Sequence, residues 1–169
     1  MNLQEQKNNM KNTKSNSIKW VKPDFEVEEG EFTGHFMRWM EDDVLEVNFN
    51  SWTEEQFEYL YENIYDAYQK ASVKPLTEKE WEIMENTDSW HINTTDELFD
   101  IINGMWGRSR ERIIKYSIEP IKKGGVVETP IVAYAKGHPP YLVAGNTRLS
   151  ACRAMGVNPK VTKLIIDFV

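Results

Sequence analysis

The residues best suited to chemistry lie where the apolar run Tyr141–Ala144 meets the sequence Gly145-Asn146-Thr147-Arg148. The run predicts a buried strand, and a glycine after it lets the backbone turn and approach another group closely. A helix that starts here, with Asn146 or Thr147 as N-cap, presents amide donors and a positive end. Arg148 adds a forked donor that matches phosphate. Together, Gly145, Asn146, Thr147 and Arg148 predict a binding site for a phosphate-bearing ligand.

The same residues also have a purely structural interpretation. A glycine is common at a strand-to-helix turn, and an arginine in the next turn can be an ordinary surface residue. Sequence alone leaves both interpretations open. Two more basic groups, Lys136 and His138, lie in the turn before the strand. We expect them to reach a bound phosphate from across the corner, and the alternative is that this turn is merely solvated.

The elements that must position these residues predict a small mixed sheet with helices, an α/β (α+β) fold. Apolar runs predict strands at 131–134 and 141–144, joined by a tight turn that is rich in glycine and proline. A helix follows at 147–155 and ends at Gly156. The alternation over 160–166 predicts a last strand.

This order of elements resembles the ParB/sulfiredoxin-like superfamily over about residues 108–166. The residues that carry the resemblance are Gly145–Arg148, Leu149–Gly156, Pro159–Val161, Ser117–Gly124 and Thr129–Val132. The resemblance implies that Gly145–Arg148 cradle the phosphates of an NTP, ATP or CTP, with magnesium as a further expected ligand. It also implies a stand-alone, DNA-associated domain of the kind found in phages and mobile elements.

Two departures from the family pattern narrow the expected chemistry. Sulfiredoxins carry their catalytic cysteine at the position of Asn146 and a histidine at that of Thr147, so sulfinic-acid reduction is not expected. Partition proteins carry a glutamate at the Asn146 position, so this chain lacks a carboxylate at that point of the pattern. Phosphoryl transfer or NTP hydrolysis would need a carboxylate near the corner. Glu119 is the candidate catalytic residue, and the acids of residues 24–103 are the alternative source.

Charge divides the chain into three segments. Residues 1–23 carry a net charge of +4, residues 24–103 carry −18, and residues 104–169 carry +7, so the overall −7 is an average of unlike parts. We predict a disordered basic tail at 1–22, an acidic, mostly helical extension at 23–104, and a nucleotide-binding part at 105–169.

The acidic extension contains one strong helix signal and several weaker ones. Thr53–Gln56 fits a capping box, and the apolar residues after it recur at spacings of three and four. Shorter helices are predicted over 77–84 and 94–104. The stretch 35–49 predicts a hairpin, since its last residues, 44–49, alternate in polarity.

Composition excludes several classes of protein. A single cysteine excludes a disulfide framework, and at Cys152 we expect a buried structural thiol. The three histidines lack metal-ligand spacing, so no metal centre is predicted. No run is apolar enough for a membrane helix or a signal peptide, which predicts a cytoplasmic protein. A second function stays open: a non-enzymatic module that binds phosphate or nucleic acid through its basic part and a protein partner through its acidic extension.

Overall fold

The computed structural model of the protein describes residues 18–106 and 109–169. The first elements are β1 (Lys19–Val21), α1 (Phe25–Glu28), α2 (His35–Trp39), α3 (Glu54–Lys70), β2 (Ser72–Pro75), α4 (Glu78–Ile83) and α5 (Thr95–Trp106). The later elements are α6 (Arg110–Ile113), α7 (Glu119–Lys123), β3 (Val126–Glu128), β4 (Ile131–Ala135), β5 (Tyr141–Ala144), α8 (Asn146–Met155) and β6 (Lys160–Ile166). Wide π turns extend α2 over Met40–Val44 and join α6 to α7 over Ile114–Ile118, and short 3-10 turns lie at Glu29–Phe32, Phe49–Ser51 and Ser89–His91.

The described strands form two sheets, which confirms the prediction of a mixed α/β fold. The larger sheet has the order β2-β6-β4-β5, in which β4 and β6 are parallel and the outer pairs are antiparallel. In this register Val73 and Ile131 lie opposite Thr162, one on each side of β6. The smaller sheet pairs β1 with β3 in parallel. The predicted strands at 131–134, 141–144 and 160–166 and the helix at 147–155 are all present.

Helix α3 forms where the capping box predicted it. The Thr53 hydroxyl accepts a hydrogen bond from the amide of Gln56 at 3.3 Å, and the Gln56 side chain accepts one from the amide of Thr53 at 2.8 Å. Its apolar face buries Leu60, Ile64 and Tyr68. This helix packs against β6, so the acidic extension rests directly on the central sheet.

The predicted basic tail is wrong for residues 19–21, which form β1. The amide of Lys19 donates to the carbonyl of Gly125, and the amide of Thr129 donates to the carbonyl of Val21 at 2.8 Å. The ammonium of Lys22 donates to carbonyls at the C-terminal end of α3. These contacts supply the backbone and helix-end partners that a free tail would lack. Residues 1–17 lie outside the described part of the chain.

The hairpin predicted at 35–49 is also wrong, because this stretch contains α2 and its π turn. Phe36, Trp39 and Met40 are buried at helical spacing, with at most 3% of their surface exposed. The alternation after Val44 does not form a strand. Glu46 has a φ of +51°, which interrupts an extended backbone.

Two apolar cores lie on opposite faces of the large sheet. Along β4, Ile131, Ala133 and Ala135 belong to one core, and Val132 belongs to the other. The aromatic residues of α1, α2 and α3 fill the first core, and α4, α6, α7 and α8 contribute to the second. Residues on both sides of position 104 enter the second core, and the acidic extension also supplies the edge strand β2. The boundary near residue 104 therefore separates segments of opposite charge, but residues from both sides of it pack into the same core.

Within residues 18–106 and 109–169, no helix combines the length and the apolar composition that crossing a membrane requires.

Candidate functional site

The corner between β5 and α8 is built around Gly145. This residue is the N-cap of α8 and has a φ of +97°, a conformation that favours glycine. A Cβ atom here would lie 2.7 Å from the Cα of Pro130. The close approach that glycine allows is therefore an approach to Pro130. The N-cap prediction was wrong, since Asn146 and Thr147 lie in the first turn of the helix.

Asn146 joins the corner to a loop of the acidic extension. Its Oδ1 accepts a hydrogen bond from the Thr87 hydroxyl at 2.6 Å. The Thr87 and Ser89 hydroxyls are 2.7 Å apart, and Ser89 accepts from the indole N–H of Trp81 at 2.7 Å. Next to this network, the Asn86 side chain donates to the β5 carbonyl of Leu142 at 2.8 Å. The extension thus holds the corner in place from outside the C-terminal part.

Arg148 projects from the first turn of α8 to two carboxylates on different elements. Its guanidinium donates to the carbonyls of Glu128 and Thr129 at 3.1 and 3.4 Å. The same group forms ion pairs with the carboxylates of Glu128 at 3.6 Å and Glu28 at 3.8 Å. Glu28 ends α1 and Glu128 ends β3, so the site unites the acidic extension with the C-terminal part.

The electrostatics of this cluster are dominated by the burial of Glu28. Only 12% of the Glu28 side chain is exposed. Desolvation raises the pKa of Glu28; the Arg148 charge lowers this pKa, and the charges of Glu128 and Glu31 raise it further. The ionised form of Glu28 therefore lies in an environment that opposes its charge.

Replacing Glu28 with glutamine is expected to raise Tm modestly at neutral pH. Because the folded-state pKa is raised, protonated Glu28 contributes stability. This contribution is fully present below about pH 4.5, the ordinary pKa, and is lost as the pH rises through the folded-state pKa. Glutamine mimics the protonated group at every pH, so its advantage should shrink as the pH falls toward 4.5. Thermal unfolding of the native protein and of Glu28→Gln between neutral pH and pH 4.5 measures the difference in Tm. Glu26→Gln, at an exposed position of the same helix whose charge is not among those acting on Glu28, is the control; a constant difference for Glu28→Gln would contradict the prediction.

The structure does not bring Lys136 and His138 to the corner. They lie in the turn before β5, whereas Gly145 follows β5. Because β5 has four residues, the two ends are separated by about 13 Å. The His138 ring contacts Trp39 instead, edge to face, with 6.3 Å between ring centroids.

Glu119 lies at the start of α7, and its carboxylate pairs with Lys123 at 3.4 Å on the surface. Arg148 is contacted by Glu28 and Glu128. Sequence reasoning missed both of these residues as site residues, although Glu28 belongs to the acidic segment named as the alternative source. The signal available for Glu128 was its place two residues before Pro130, against which Gly145 packs.

Two other expectations concern Cys152 and metal ligands. Cys152 is fully buried, as predicted for a structural thiol, and burial raises its pKa to about 12. Among the described residues no group of three or more histidine, cysteine or acidic side chains could hold a metal ion. Glu28 and Glu128 each contact Arg148, and one or two carboxylates are what Mg²⁺ commonly uses when phosphates supply further ligands.

The comparisons with known proteins add no family to these features. No protein-family model matches the chain, no curated protein is significantly similar to it, and no solved structure significantly matches it. The fold and the Arg148 cluster are therefore interpreted from their own geometry.

Proposed function

We propose that the corner at the start of α8 binds the phosphates of a nucleoside triphosphate, ATP or CTP. The position of Arg148 carries this proposal: it lies in the first turn of a ten-residue helix, and its guanidinium has two carboxylates in ion-pair contact. The positive end of the helix attracts phosphate, and the guanidinium adds a forked donor. The resemblance of residues 108–166 to the ParB/sulfiredoxin-like superfamily supports the same location.

The two carboxylates make this binding dependent on a divalent cation. A triphosphate that approached Arg148 alone would meet the negative charges of Glu28 and Glu128. Magnesium takes oxygen ligands and is commonly held by one or two carboxylates together with substrate phosphates. Glu28 and Glu128 would hold the ion, which would neutralise the phosphate charge, while Arg148 would contact the phosphate oxygens.

The reaction class that this arrangement supports is phosphoryl transfer or NTP hydrolysis. Glu28 and Glu128 lie at Arg148, so they take the role first given to Glu119. A carboxylate beside bound phosphates can orient a water molecule or an acceptor hydroxyl. Glu28 is the better placed of the two, since it is held in a largely buried position.

A second function is favoured by the exposed surface of α6, α7 and the turn between them. This surface carries Arg110, Arg112, Lys115, Lys122 and Lys123, all exposed. Tyr116 lies among them with 62% of its surface exposed. Basic side chains around an accessible aromatic ring suit the backbone and bases of single-stranded nucleic acid. A module that binds nucleic acid here would need no catalysis.

A nucleotide panel tests the first function by thermal unfolding. A triphosphate with magnesium is expected to raise Tm by about 3–5 °C when it is well above its dissociation constant. Arg148→Ala should remove this rise, and so should chelation of the cation. Arg112→Ala, which removes an exposed arginine of α6, is the control and should respond like the native protein. If native protein and Arg148→Ala respond equally, the proposal is wrong.

The same variants separate the two functions. Binding of a labelled single-stranded oligonucleotide, followed by fluorescence anisotropy, should weaken steeply with salt if the basic surface is the site. In that case Arg112→Ala weakens binding and Arg148→Ala does not. That outcome, together with no response to any triphosphate, would replace the first function with the second.

A further inference from the structure

One face of α8 carries a stripe of polar side chains turned toward the acidic extension. Asn146, Ser150 and Arg153 are spaced by four and three residues, so they lie on the same side of the helix. Asn146 bonds to Thr87 at one end, and at the other the guanidinium of Arg153 contacts aromatic rings of the extension. Ser150, which lies between them, must face the same segment.

Arg153 lies between two tryptophans. Its guanidinium carbon is 3.9 Å from the ring centroid of Trp81 and 4.1 Å from that of Trp90. The rings engage the guanidinium through cation–π contacts, which leave its N–H groups to find their own hydrogen-bond partners. The Nε and Nη2 atoms are nevertheless buried without a partner.

The Ser150 hydroxyl also lacks a hydrogen-bond partner. Only 1% of the surface of Ser150 is exposed, and its Oγ is buried. Buried polar groups in native proteins are almost always paired. Arg153 as a whole is half-buried, so the atoms that need a partner are its Nε and Nη2 together with the Ser150 hydroxyl. No carboxylate in the described part of the chain forms an ion pair with Arg153. The charge of Glu78 acts on Arg153 from beyond ion-pair distance, so the charge on this face is only partly balanced.

The neighbouring polar groups are already engaged with one another. Trp81 donates to Ser89, Ser89 lies in hydrogen-bond contact with Thr87, and Thr87 donates to Asn146. What remains is a set of donors: Nε–H and Nη2–H of Arg153 and the hydroxyl of Ser150. Three donors and one positive charge select a ligand that accepts hydrogen bonds and carries negative charge.

We propose that α8 and the loop around Ser89 enclose a site for a small monovalent anion of chloride size. The ion accepts hydrogen bonds from Arg153 and Ser150 and balances the guanidinium charge. Its size is limited because these atoms are shielded from solvent. A water molecule would accept two hydrogen bonds and would leave one of the three donors without a partner. The site is separate from the phosphate corner, since it uses neither Arg148 nor the acids that contact Arg148.

Thermal unfolding at constant ionic strength tests the site with chloride as the probe. Replacing sodium gluconate, whose anion is too large to enter, by sodium chloride should raise Tm of the native protein by about 3 °C. Ser150→Ala and Arg153→Lys should lose this rise. Arg110→Lys is the matched control, because Arg110 also stacks on an aromatic ring, that of Phe99 at 4.4 Å, but is exposed.

Crystals of the native protein grown with bromide provide an assay that needs no variant. An anomalous peak within hydrogen-bond distance of Ser150 Oγ and of Arg153 Nε and Nη2 is the expected result. Density for a water molecule without anomalous signal would overturn the proposal. Equal values of Tm in chloride and gluconate would overturn it as well, whether or not triphosphates bind at Arg148.

Discussion

Gly145→Ala is expected to destabilise the protein by about 2–5 kcal/mol. The new Cβ would lie 2.7 Å from Cα and 2.9 Å from Cβ of Pro130, closer than real Cβ contacts occur. The φ of +97° adds backbone strain for any residue with a side chain. Pro130 cannot easily retreat, because its carbonyl accepts a hydrogen bond from the amide of Thr162 in the centre of the sheet at 2.8 Å.

Thermal unfolding measures this effect, and the expected loss in Tm is about 10 °C. Gly137→Ala is the matched control: its φ is +84°, but no atom lies within 4 Å of the added Cβ. It should lose only the strain of the left-handed backbone, about 1 kcal/mol. If Gly145→Ala costs no more than Gly137→Ala, the contact with Pro130 does not constrain this position.

The cost of Gly145→Ala also limits what this variant can reveal about ligands. A loss of nucleotide binding in Gly145→Ala would follow from displacement of the helix start as readily as from loss of a phosphate contact. Arg148→Ala is the sharper probe, because it removes the guanidinium and adds no atom against Pro130. The glycine serves the fold whether or not the corner binds phosphate.

The sequence predicted best those elements whose signals are local. Strands β4, β5 and β6 and helix α8 follow from short apolar runs and a terminal glycine, and α3 follows from its capping box. These patterns report on residues within one or two turns of each other. The prediction of a phosphate site at residues 145–148 rests on the same kind of local pattern.

What the sequence could not predict depends on partners far along the chain. β1 and β2 are three and four residues long and form only by pairing with β3, 107 residues away, and with β6, 85 to 91 residues away. The Glu28–Arg148 ion pair likewise joins distant positions. At residues 44–49 a local alternation was outweighed by burial of aromatic side chains in α2, which is tertiary packing overriding a weak strand preference.

Phe36→Ala is expected to cost about 3–5 kcal/mol, and it tests how the acidic extension is joined to the sheet. The Phe36 side chain is fully buried, with ring centroids 5.4 Å from Phe32 and 5.9 Å from Trp39. Trp39 in turn stacks on Tyr141 of β5 at 4.7 Å, and the Tyr141 hydroxyl donates to the carbonyl of His35 at 3.0 Å. The cavity left by alanine would therefore weaken the attachment of α2 to the sheet.

Because the same core contains the sheet and α2, the whole described structure should unfold in one transition, with Tm about 10 °C lower in Phe36→Ala. Far-UV and near-UV circular dichroism should report the same midpoint. Tyr59→Ala, at a position 66% exposed on α3, is the control and should change stability by less than about 0.5 kcal/mol. Two separate transitions in Phe36→Ala, the later one retaining sheet signal, would show that the extension is a unit on its own and that the change of charge near residue 104 is also a boundary of folding.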